Sequence, residues 1–129
     1  MVDTSVWSLA LRKGGPTDHT SVRKLREVLE HGEDVFLIGV ILQELLQGFR
    51  DKRTIGRLSG RLQSFDLLPL ERRHYVAAAQ LRRRCVSNGV TPSTIDALIA
   101  SAAIEHRSWL LTADDDFEHI ARVTRLKLL

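Results

Sequence analysis

A chain of 129 residues with 43% apolar content supports one domain with one core and leaves no room for a second. Nineteen Lys and Arg against sixteen Asp and Glu give a formal charge of +3, so any gathering of the acids into one pocket leaves a more basic surface elsewhere, suited to a polyanionic partner. The single cysteine, Cys85, excludes an internal disulfide and a cysteine zinc site; no apolar run approaches the roughly 20 residues that cross a bilayer and no charged leader precedes one, so a soluble cytoplasmic protein without membrane contact is expected.

Apolar runs of about four residues alternate with longer helical patterns, which predicts an α/β fold of βαβ units around a mainly parallel sheet. The first strand is placed at Met1 to Asp3. Only two residues precede Asp3, whereas a typical strand runs about five or six, so this strand is expected to be stunted but real. Asp3 is followed by Thr4 and Ser5 and then a helix carrying Trp7, Leu9 and Leu11, so it suits an N-cap and a site carboxylate equally well. Lys13-Gly14-Gly15-Pro16-Thr17-Asp18 has the composition of a loop.

Val22, Leu25, Val28 and Leu29 mark an amphipathic helix, Val35 to Ile38 a second strand, and Ile41, Leu42, Leu45, Leu46 and Phe49 a second helix. Glu44 sits at the edge of that apolar stripe, one turn from Val40 and from Gly48, with Gln43 and Gln47 on the expected solvent side. That placement, beside a glycine that leaves room, favours a ligand role. Arg53, Arg57 and Arg61 then recur every fourth residue with Arg50 close by, as a solvated helix face or as a guide for phosphates. Fifteen of the nineteen cations are Arg, a bias that suits phosphate recognition and that a GC-rich genome would also produce.

A third strand is expected at Phe65 to Leu68. Cys85 lies at helical spacing from Ala78 and Leu81 and is expected as a buried core thiol, while five scattered histidines lack zinc-ligand spacing. Ile95, Leu98, Ile99 and Ala102 mark another helix, with Ser93 as its N-cap and Asp96 three residues on, in imitation of a capping box. A fourth strand spans Trp109 to Thr112. Asp114, Asp115 and Asp116 suit the positive end of a short helix through Ile120, yet one or two acids would meet that need. Val123 to Leu128 forms the last expected strand.

In an open parallel sheet, ligands bind outside the carboxyl ends of the strands, so Asp3, Glu44, Asp96 and Asp114 can converge on one crevice despite their separation in sequence. Two carboxylates about 4 Å apart repel by about 4 kcal/mol at an effective dielectric of 20, a cost that a bound divalent cation removes. Oxygen-only ligands select hard cations such as Mg²⁺ or Mn²⁺. A calcium EF-hand is excluded, because the run from Asp114 to His119 has no glycine at its sixth position.

In this order and with these surrounding words, Val2-Asp3-Thr4-Ser5-Val6-Trp7, Gln43-Glu44-Leu45-Leu46-Gln47-Gly48, Asp96-Ala97-Leu98-Ile99-Ala100 and Leu111-Thr112-Ala113-Asp114-Asp115-Asp116-Phe117, the chain resembles the PIN-domain nucleases. More narrowly, it looks like the VapC-like ribonuclease toxins of toxin-antitoxin modules. The likeness spans almost the whole chain. It implies a three-layer α/β/α sandwich with a central, mainly parallel sheet of four to five short strands. It also implies a homodimer, a cognate antitoxin protein, and cleavage of RNA with Mg²⁺ or Mn²⁺. Carried over by residue, Asp3, Glu44, Asp96 and Asp114 are the catalytic acids, and Asp3, Asp96 and Asp114 hold metal with Asp116 as an auxiliary ligand. Thr4, Ser5 and Thr112 steady them through their hydroxyls. Asp115 falls where such motifs vary and receives no role.

Two rival functions remain open from sequence. A receiver-type signalling domain would use Asp66 at the end of a middle strand, Thr112 and Lys127, but it leaves Glu44 and the run of three acids unexplained. A PIN-like module that binds RNA without cutting it is the other.

Overall fold

The computed structural model describes residues 1–12 and 18–129, so the expected loop from Lys13 lies, apart from Asp18, outside the described residues. The elements in chain order are α1 (Thr4–Leu11), α2 (Thr20–Glu30), β1 (Phe36–Ile38), α3 (Gly39–Gln47), α4 (Lys52–Leu62), β2 (Asp66–Leu68), α5 (Arg72–Ser87), α6 (Thr94–Glu105), β3 (Trp109–Leu110), α7 (Asp116–Val123) and β4 (Lys127–Leu128). No helix is long and apolar enough to cross a membrane, among the described residues.

The helices follow from their apolar spacing. α2 buries Val22 and Leu25, α3 buries Ile41 and Leu45, and α4 buries Leu58 and Leu62, each pair three or four residues apart on one face. α6 differs: Ala97, Ile99, Ala100, Ser101, Ala102 and Ala103 are all buried, so neighbours cover it on most sides and small residues let them approach. It packs most extensively against α5, whose Cys85 is fully buried as the spacing predicted.

Every strand pairing among the described residues is parallel. β1 pairs with β2, placing Phe36 opposite Asp66, and β3 pairs with β4, placing Trp109 opposite Lys127. Val2 forms a single parallel bridge to Leu111, fixed by Asp3 N–H to Leu111 O at 2.9 Å and Leu111 N–H to Met1 O at 3.0 Å. The carboxyl ends of Met1 to Asp3, β1 and β3 therefore lead directly into α1, α3 and the acidic turn before α7. This common direction places the starts of α1 and α3 and the acidic turn on one side, and α6 brings Asp96 to the same side.

Three expectations on the strands need adjustment. Met1 to Asp3 is a bridge rather than a strand, because Val2 makes one pairing, to Leu111, before Asp3 caps α1. Val123 ends α7, so the last strand is only Lys127–Leu128. Among the described residues the strands form two separate two-stranded sheets, β1-β2 and β3-β4, rather than one sheet of four to five. Strands of two or three residues offer too few ladder bonds to close the space between the pairs, where Met1, Val2, Val35, Phe36 and Trp109 line a cavity of about 410 Å³.

Candidate active site

Asp3, Glu44, Asp96 and Asp114 line a single open cavity of about 450 Å³, together with Thr4, Ser5, Gln47, Gly48, Ile99 and Phe117. The four acids arrive from four elements. Asp3 is the N-cap of α1, Glu44 projects from α3, Asp96 stands in the first turn of α6, and Asp114 occupies the turn that enters α7. Ile99 and Phe117 form the apolar floor; both are buried.

Each acid is anchored through one oxygen. Asp3 is only 5% exposed, and its Oδ2 accepts from Ser5 Oγ at 2.6 Å, Ser5 N at 3.2 Å and Thr112 Oγ1 at 3.1 Å. Both hydroxyls spend their single proton on Asp3, which leaves their lone pairs to accept. Ser5 Oγ takes Ala113 N–H at 3.0 Å and Thr112 Oγ1 takes Asp114 N–H at 3.0 Å. Two short side chains thus stitch the start of α1 to the acidic turn across more than a hundred residues of sequence.

Glu44 Oε2 accepts from Thr4 Oγ1 at 2.7 Å. Asp96 Oδ2 accepts from Ser93 N–H at 3.0 Å while Ser93 Oγ accepts from Asp96 N–H at 3.0 Å, so the predicted capping box is present. Asp114 Oδ1 accepts from Asp116 N–H at 2.9 Å and substitutes for the missing side-chain cap of α7. Capping and site lining therefore coexist in Asp3 and Asp96. The second oxygen of each acid accepts no hydrogen bond among the described residues. Nor is any of them sealed in the protein, since the buried side-chain polar atoms without a partner there are Trp7 Nε1 and Ser108 Oγ.

Other expected site residues lie elsewhere. Asp116 does not line this cavity; it borders a neighbouring one with Thr91 and His119, because its N–H, not its carboxylate, turns toward Asp114. Thr112 acts from behind, through Asp3. Arg50, Arg53, Arg57 and Arg61 are exposed and do not line the cavity. Gln47, expected on the solvent side, is exposed but lines the cavity one turn from Glu44, a position that the i+3 spacing already implied. Ile99 and Phe117 were legible as core but not as the cavity floor.

The receiver constellation is not assembled. Asp66 pairs with Phe36 in β2, Thr112 bonds Asp3, and Lys127 Nζ sits 5.6 Å from the Trp109 ring centroid. Among the described residues no three His, Cys, Asp or Glu side chains stand close enough to hold a metal ion as they are. The donor chemistry suits a hard cation, since the cavity offers four carboxylates, each with one oxygen free of hydrogen bonds, and no nitrogen or sulfur ligand.

These features define an α/β domain whose acids, drawn from four elements, meet where parallel strands end. The PIN domain family model matches residues 1–123, and the chain belongs to that family. It is 31% identical over 129 residues to VapC ribonuclease Mb1587 of Mycobacterium bovis and to ribonuclease VapC11 of Mycobacterium tuberculosis, with 98% of this chain and 95% of each relative covered. Within the family it groups with the VapC ribonucleases. Its fold is similar to that in the crystal structure of VapBC2 from Rickettsia felis bound to a promoter DNA fragment, with a TM-score of 0.80, 22% identity, and coverage of 100% of this chain and 96% of that one. FitAcB from Neisseria gonorrhoeae is also similar, with a TM-score of 0.76, 23% identity, and coverage of 99% and 94%.

Proposed function

We propose that this chain is the toxin of a toxin-antitoxin pair and hydrolyses RNA phosphodiester bonds with Mg²⁺ or Mn²⁺. One observation carries this: four carboxylates from four elements line one cavity, each with one oxygen fixed by the fold and the other unbonded. Four acids lining one open cavity give it a negative potential that attracts a cation. The ribonuclease names of the relatives supply the substrate class, and a structural neighbour that is a toxin-antitoxin complex, from Klebsiella pneumoniae, supplies the kind of partner.

Asp3, Asp96 and Asp114 are the residues that would hold the ion, with Asp116 as an auxiliary ligand. When bound, it supplies positive charge against the negative charge that develops on the scissile phosphate. The chain's own groups do the rest. Asp3 is immobilised by three donors and sets the position of the site, while Thr4 holds one oxygen of Glu44 and leaves the other to orient an attacking water. The Arg50, Arg53, Arg57 and Arg61 face attracts the RNA backbone. An antitoxin that inserts a cationic side chain into the cavity would satisfy the same unbonded oxygens and exclude RNA. A second copy would cover exposed apolar side chains such as Leu67, Tyr75 and Val76, as a homodimer requires.

Purified protein should cut RNA with Mg²⁺ or Mn²⁺, stop with EDTA and leave a 5′-phosphate. Asp96→Asn should slow cutting by about a hundredfold or more through loss of a ligand charge. Its stability should stay within about 0.5 kcal/mol, because Asn can still accept the Ser93 N–H bond. Cutting by Asp96→Asn at the parental rate, with its fold intact, rejects the assignment.

A further inference from the structure

On the face of α6 turned away from the acidic cavity, a second cavity of about 240 Å³ lies between α5, α6 and the turn from α7 to β4. Its polar lining is Gln80, Arg84, Ser101, Glu105, Thr124 and Arg125, over apolar contacts from Leu81 and Ile104. Three features separate it from an ordinary surface groove.

The first is Ser101. It is 3% exposed in the middle of a helix, where a serine hydroxyl ordinarily bonds the carbonyl four residues back. Ser101 Oγ makes no hydrogen bond among the described residues, yet it is not one of the sealed, unpartnered atoms, so it opens into the cavity. A buried hydroxyl kept from its backbone alternative is a donor waiting for an acceptor.

The second is charge. Arg84 and Arg125 come from different elements, and neither forms a salt bridge among the described residues; even Glu105, in the same lining, stays beyond pairing distance of both. Two guanidinium groups against one carboxylate leave an excess of one positive charge. The third is rigidity: Thr124 Oγ1 donates to Ile120 O at 2.8 Å and accepts from Leu126 N–H at 3.2 Å, which fixes the turn that carries Arg125.

We infer that this cavity binds a phosphate group, with the guanidinium groups of Arg84 and Arg125 and the hydroxyl of Ser101 as its donors. Planar guanidinium groups match phosphate oxygens, and the hydroxyl supplies a third donor from the cavity wall. One excess positive charge matches a phosphodiester or a singly ionised phosphate. The site is separate from the acids and does not depend on RNA cleavage, so its test needs no turnover.

The test is titration of the ¹⁵N-labelled chain, at fixed ionic strength, with inorganic phosphate in one arm and a 2′-O-methyl oligoribonucleotide in the other. Amide shifts should appear at Gln80, Ser101 and Thr124 in at least one arm and saturate. Binding should weaken about tenfold in Arg84→Ala/Arg125→Ala and about threefold in Ser101→Ala, which keeps the helix. Response to the oligonucleotide alone identifies a backbone phosphodiester; response to both identifies a free phosphate group as sufficient. Absence of saturable shifts at these residues in both arms overturns the inference, as does equal binding by the double variant with its spectrum otherwise unchanged.

Discussion

The acidic cavity and the arginine face of α4 both announce themselves in the sequence as charge at regular or motif-like positions, but the fold treats them differently. Each of the four acids gives one oxygen to a specific donor, and Asp3 gives it to three. Arg53, Arg57 and Arg61 stand exposed beside the buried stripe of Leu58 and Leu62, with no salt bridge among the described residues. Charge that is wired to the backbone of distant elements is preorganised, and its geometry survives ligand arrival. Charge in solvent acts over distance, is screened by salt, and tolerates substitution.

The largest effect should come from cutting the wiring itself. Asp3→Ala removes a buried acceptor and strands Ser5 and Thr112, so it should abolish RNA cutting and also cost about 3 kcal/mol of stability. Urea unfolding measures that cost. A midpoint equal to the parent's would mean that the hydroxyls find other partners and that Asp3 does not organise the cavity.

Thr4→Val is a narrower cut, because it removes only the hydrogen bond to Glu44. Cutting should fall about tenfold, with stability changed by less than about 1 kcal/mol, and Thr4→Ser should restore most of the rate. If Val at this position cuts as well as Thr, Glu44 needs no anchor and its likeness to the other three acids breaks down.

The unequal wiring also explains what could be read in advance. Helix faces were legible because apolar spacing records burial directly, as with Ile41 and Leu45 or Ala78 and Cys85. The meeting of Asp3, Glu44, Asp96 and Asp114 was legible because each adjoins an element boundary or an apolar stripe, and parallel pairing sends those boundaries to one side. What escaped depends on pairing between distant segments. The single bridge from Val2 to Leu111 and the gap between the two strand pairs leave no trace in local pattern. Asp114 and Asp116 look equivalent in a run of three acids, yet the turn into α7 uses the carboxylate of one and the N–H of the other.

The arginine face should answer to salt rather than to structure. Replacing Arg53, Arg57 and Arg61 together by Gln should leave the melting temperature nearly unchanged and reduce the slope of log binding constant against log salt by about 2, at roughly 0.7 per single-strand phosphate contact. Filter binding of uncleaved RNA by the Asp96→Asn protein across a salt series measures it. An unchanged slope would make the stripe a solvated face only.

The smallest effect concerns how that face is held. α4 carries Gly56 and Gly60 in its interior, each of which weakens a helix, so its N-cap matters more than usual. Asp51 Oδ1 accepts from Thr54 N–H at 2.7 Å, and this backbone bond, aided by the Thr54 side chain and the nearby Arg57, holds the Asp51 carboxyl below its ordinary value of 3.8. A carboxyl whose folded value is depressed stabilises the fold fully above its ordinary value and loses that contribution as pH falls through the folded one. The Thr54 amide resonance should therefore titrate with a midpoint below 3.8, and the start of α4 should fray only beyond it. At neutral pH, Asp51→Ala should loosen the same turn while leaving the hydrogen bonds of Asp3, Glu44, Asp96 and Asp114 in place, since none of them passes through α4. A midpoint at or above 3.8 would mean that Asp51 does not cap α4, and a shift at the acids on loss of Asp51 would show that the two charged regions are coupled through the chain that joins α3 to α4.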